Sequence, residues 1–165
     1  MKYLTNGSFQ SSNLMKLTLV ASLVFFVGFW LTSVLIFFSK MSLDPASVAA
    51  YYLGSETNFT QPRTYGSMLE VAHGHLPVMA LTALLLTHLF IFTPLSMTIK
   101  FATIATFFSA ALLSELSSWL VRFFHPAFAW LKIAAFLSLE VSMAFVIYWL
   151  FKLLLVLPES GETKR

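Results

Sequence analysis

Four long apolar runs, each bounded by charge or proline, dominate the pattern of the chain. A helix needs about 20 mostly apolar residues to cross a hydrocarbon core of about 30 Å. The runs therefore predict transmembrane helices at about 17–38, 67–93, 101–124 and 127–157. The first carries no charge and is flanked by Lys16 and Lys40, whose stems can snorkel to the two interfaces. The second becomes uninterruptedly apolar at Leu76, just past His73 and His75, and Pro77 is expected to kink it or to start its buried section. The third is apolar but for Glu115, the fourth contains Lys132 and Glu140, and Pro94 and Pro126 punctuate the tight connections. The segment 39–66 is the one sizeable connection; Tyr51, Tyr52 and Tyr65 read as interfacial aromatics, and it has room for a short interfacial helix.

The predicted class is all-α, an integral membrane bundle of four transmembrane helices. With no internal repeat of 20 to 50 residues and no linker composition, residues 1–165 read as one membrane domain. A signal peptide is the rival for the first run, but its apolar core would span about 7 to 15 residues, so an uncleaved anchor is expected.

Composition sharpens this picture. Of the 165 residues 58% are hydrophobic and 10% charged, against roughly a quarter charged in a soluble domain, so a soluble reading is excluded. The absence of cysteine excludes disulfides, thiolate metal sites, iron–sulfur clusters and covalently attached haem. The net charge of +3 is scattered, without a Lys/Arg run, so nucleic acid is not an expected partner. The expected partners are the lipid bilayer and other membrane protein subunits. Lys2, Lys16, Lys100, Lys152, Lys164 and Arg165 fall on one side of the predicted topology, and Lys40, Arg63, Arg122 and Lys132 on the other. That bias predicts cytoplasmic termini and an extracytoplasmic 39–66 segment.

Ionisable groups are costly inside a bilayer, so each one within a span is a site hypothesis. An outer layer is expected from Glu70, His73, His75, Arg122, His125 and Lys132, contributed by three helices. His88 lies about 22 Å further along an ideal helix than His73, and its expected neighbours in depth are Glu115 and Glu140. Glu115 and Arg122 share a face with Ser114, Ser118 and Ala111, small residues that allow close helix approach. Neither Glu115 nor Arg122 reaches the other, so each needs a partner from elsewhere, and the polar line is expected to span most of the membrane.

Three chemistries follow. A b-type haem is held in helix bundles by His from facing helices; His73 or His75 with His125, and His88 as a lone ligand, are the cofactor-binding candidates, with Arg122 or Lys132 at a propionate. A metal ion on His73, His75, His125 and Glu70 is the second, although on a regular helix His73 and His75 point about 200° apart. A proton path through Glu115 and Glu140 is the third. Against each stands a plainer role: interface polarity for the His residues, anchoring for Arg122 and Lys132, and interhelical hydrogen bonding for the carboxylates.

Two resemblances add to this. With four helices and inward His the chain generically resembles membrane b-type cytochromes. The segment from Arg63 to Pro94 containing Met-Leu-Glu-Val-Ala-His-Gly-His, with Trp119-Leu-Val-Arg122 and Pro126-Ala-Phe-Ala129, resembles small uncharacterised bacterial four-helix inner-membrane proteins. The latter implies a bacterial inner membrane location and brings no activity with it. Neither a phosphate-binding loop nor a hydrolase motif occurs. The expectation is thus a small membrane subunit of a respiratory or redox assembly, without catalytic activity of its own, binding haem b and exchanging electrons with quinone. The alternative is a cofactor-free accessory or assembly subunit, or a metal-binding or proton-conducting protein.

Overall fold

The computed structural model describes residues 13–57 and 59–155. Lys2, Lys164 and Arg165, and the last two residues of the 127–157 helix, lie outside the described residues. The chain is all-helical: α1 (Asn13–Lys40), α2 (Pro45–Leu53), α3 (Tyr65–Phe90), α4 (Met97–Phe123), a 3-10 turn (Pro126–Phe128) and α5 (Ala129–Leu155). Four of these helices are long and apolar enough to cross a membrane. At 1.5 Å per residue they measure roughly 40 Å, enough for the core with a tilt.

Local chemistry sets the ends. Asp44 accepts from the amides of Ala46 and Ser47, and Pro45 occupies the first turn, which starts α2 in the segment expected to hold an interfacial helix. Gly54 ends it with φ of 83°, and a Cβ there would sit 2.6 Å from the Thr60 carbonyl, so the tight Ser55–Thr60 turn requires glycine. Thr64 caps α3 and Ser96 caps α4. α3 runs through Pro77 without a break and ends at Phe90 rather than Thr93. There the Thr93 hydroxyl donates to the Phe90 carbonyl and folds the chain into a turn.

α5 is the central helix, packing on α4, α1 and α3. α1 packs chiefly on α5, its most apolar stretch only 6% buried, so most of its surface is left to lipid. The antiparallel arrangement divides the bundle into two layers. On the side away from α2, Leu23, Leu86, Phe90, Phe107, Val146 and Leu150 form a dry core. On the α2 side, Val48, Tyr52, Met68, Val121, Ala129 and Ile133 pack the short helix onto the ends of α3, α4 and α5.

Candidate functional site

Between these layers lies a cavity of about 370 Å³ walled by α1, α3, α4 and α5. Its lips are apolar: Ile36 of α1 and Val71 and Val78 of α3 line it yet stay 59%, 50% and 47% exposed. The seam between α1 and α3 is therefore an open slot, which in a bilayer faces acyl chains. Behind these lips a few polar and charged side chains, Ser33, Ser114, Glu115, Lys132 and Glu140, stand among apolar walls, contrary to what lipid alone would select.

Glu140 sits about 16 Å along α5, near the middle of that helix. Its Oε1 accepts from the Ser33 hydroxyl at 2.7 Å, while the Trp30 indole donates to its backbone carbonyl at 3.1 Å. The other oxygen, Oε2, is buried and has no hydrogen-bond partner among the described residues. Lys132, in the first turn of α5, is 7% exposed and donates to the Ser114 carbonyl and hydroxyl at 2.8 and 3.0 Å. That use of two of its three N–H groups holds the ammonium in the cavity wall. Ser118 donates to the same Ser114 carbonyl, so the Tyr52 phenol, 2.9 Å from the Ser118 oxygen, is the donor of that pair. Burial pushes the Tyr52 phenol up to about 12, the Ser118 hydrogen bond opposing it.

His75 Nδ1 lies 2.9 Å from Glu115 Oε1, with the imidazole 59% exposed in the slot and the carboxylate 12% exposed behind it. Arg122 donates through Nε to the Arg63 carbonyl at 2.6 Å, tying α4 to the start of α3. The partners that Glu115 and Arg122 require thus come from α3 and the segment before it.

Glu115 is level with His75 rather than with His88. Glu115 stands about 12 Å from the end of α4 at Phe123, and His75 about 15 Å from the start of α3. Because α3 and α4 run antiparallel, both fall in the α2-side half, at one level. His88 is near the opposite end of α3, exposed, its ring edge-on to Phe92. The polar groups therefore do not span the membrane; they stop at the dry core.

The four His residues occupy separate settings. His73 and Glu70 are exposed on α3 and do not line the cavity. His125 is exposed and caps the 3-10 turn, its Nδ1 accepting from the Ala127 amide at 3.1 Å. Among the described residues no three His, Asp or Glu side chains gather into a metal-ligating group. Lys132, expected in the outer polar layer, lines the cavity, and Ser33, Tyr52 and Ser114 join it in the polar part of the wall without having been named as site residues. The inward stripe of small residues on α4 was the visible signal for Ser114, whereas nothing in an uncharged first span marks Ser33.

No curated protein and no solved structure matches the chain. A family of transmembrane helical domains matches residues 42–161, a stretch that takes in α2 to α5 and begins after α1. The cavity walls of α3, α4 and α5 lie inside that match and the α1 wall outside it, and by this match over most of its length the chain belongs to the Aq_1264_TM family of transmembrane helical domains.

Proposed function

We propose that this membrane protein binds the polar head of an amphipathic, lipid-phase molecule, admitted sideways through the slot between α1 and α3. The observation that carries the reading is Glu140 Oε2, a buried carboxylate oxygen without a partner in a cavity open to the lipid side. An unsatisfied buried acceptor costs about 1–3 kcal/mol, and a hydroxyl or amine donor on a ligand relieves it. The volume falls in the range of small-molecule sites, which combine apolar walls with a few polar anchors.

The test is extraction of bound small molecules from protein purified in mild detergent, compared with Ala111→Phe, which fills the cavity from the α4 wall. An amphiphile in near-stoichiometric amount, absent from the variant, is expected; a quinone in that extract would make the site part of an electron-transfer assembly. An empty, colourless protein that co-purifies with another membrane chain would overturn the reading in favour of an accessory subunit. A b-type α-band in the reduced-minus-oxidised spectrum, lost on His125→Ala or His73→Ala, would overturn it in favour of haem b.

A further inference from the structure

The mouth of the cavity is cationic. Lys40, at the end of α1, and Arg63, just before α3, line both the cavity and an open hollow that adjoins it. Among the described residues no carboxylate lines the hollow and neither cation forms a salt bridge. The Arg63 guanidinium rests 4.4 Å over the Tyr51 ring, which fixes it at the rim. Thr64 and Ser67, the cap and first turn of α3, complete the wall, so the positive end of a long helix adds to the two cations.

Position fits this charge. The hollow lies where α1 ends and α3 begins, at the level where a bilayer carries its headgroups. We infer that this mouth holds a phosphate group, the outermost, anionic part of the polar head whose inner part enters the cavity toward Glu140. The inference rests on the cavity reading above. A phosphate monoester carries about −1.5 to −2 charges at neutral pH, which two unpaired cations and a helix N-terminus balance. A neutral head leaves both cations uncompensated. A free phosphate ion offers the same chemistry without the tail.

The test uses two probes that differ only in the phosphate, phosphatidic acid and the diacylglycerol with the same chains. Each is titrated into the detergent-solubilised full chain and followed by native mass spectrometry. Phosphatidic acid is expected to bind roughly tenfold or more tightly, since each cation near an anionic surface contributes about a factor of five. Lys40→Gln with Arg63→Gln is expected to bring the ratio close to one. Lys16→Gln, the same charge change at the far end of α1, is expected to leave it unchanged. Displacement of phosphatidic acid by millimolar inorganic phosphate, with phosphate binding alone seen by phosphorus NMR, would assign the site to the free ion. Equal binding of both lipids, unaffected by the double substitution but abolished by Ala111→Phe, would overturn the phosphate site and leave the cavity reading standing. Binding of neither lipid nor inorganic phosphate would overturn the inference; an amphiphile of another class in the purified protein would still leave the cavity reading intact.

Discussion

Tyr52 joins two kinds of chemistry in one side chain. It is 6% exposed, it packs with Val48 against α4 and α5, and its phenol donates to Ser118 on the cavity wall. Because burial holds its proton up to about 12 against an ordinary value of 10.0, the folded state keeps a proton that the unfolded chain releases. This contribution to stability is complete below about pH 10 and is lost as pH rises through about 12. Tyr52→Phe is expected to cost about 1 kcal/mol at neutral pH through the lost hydrogen bond. It should also flatten the fall in thermal midpoint between pH 10 and 12 relative to the unsubstituted protein; an identical pH profile in the two would refute the assignment. At this scale the sequence was partly readable. Tyr52 stood out as an interfacial aromatic, but its partner lies 66 positions away and no local pattern names it. The His75–Glu115 pair, 40 positions apart, was hidden in the same way.

Among the elements, α1 is attached differently from the rest. Besides the packing of Leu23 into the dry core, its hold on α5 includes the Trp30 and Ser33 bonds to Glu140 and the stacking of Phe37 on Phe136, ring centroids 3.8 Å apart. In lipid the burial of a ring yields little, because acyl chains are as apolar as the helix surface they replace. The stacked pair should then carry a clear share of the attachment. A double-mutant cycle with Phe37→Ala and Phe136→Ala is expected to return a coupling of about 0.5–1.5 kcal/mol from detergent unfolding. Strict additivity would show that α1 is placed by other contacts. The spans themselves were legible because a run of about 20 apolar residues has few other fates. α2 was foreseeable from its length of polar chain, while the packing of α1 on α5 was not, since an evenly apolar helix gives no face to read.

Across the molecule, the cavity's polar groups lie on the α2 side of the dry core. Glu115 and Glu140 belong to the α2 side, and beyond them Phe107, Leu86, Phe90, Val146 and Leu150 close the bundle. A proton relay needs a continuous chain of donors and acceptors, which that layer interrupts. Proteoliposomes loaded with a pH-sensitive dye are expected to show no proton flux above protein-free vesicles, whatever the residue at position 115. Flux abolished by Glu115→Gln would overturn this. Sequence spacing could not locate the layer, because depth along one helix fixes depth along its neighbour only once the antiparallel offsets are known. The bonds from Trp30 and Ser33 to Glu140 also have a consequence in time. They join positions 110 and 107 residues apart. At 5–20 residues per second, synthesis separates their appearance by roughly 5 to 20 s. The first spanning helix thus waits in the bilayer without its partner until the last one arrives, so a chain interrupted before Glu140 leaves the ribosome with an unclasped α1.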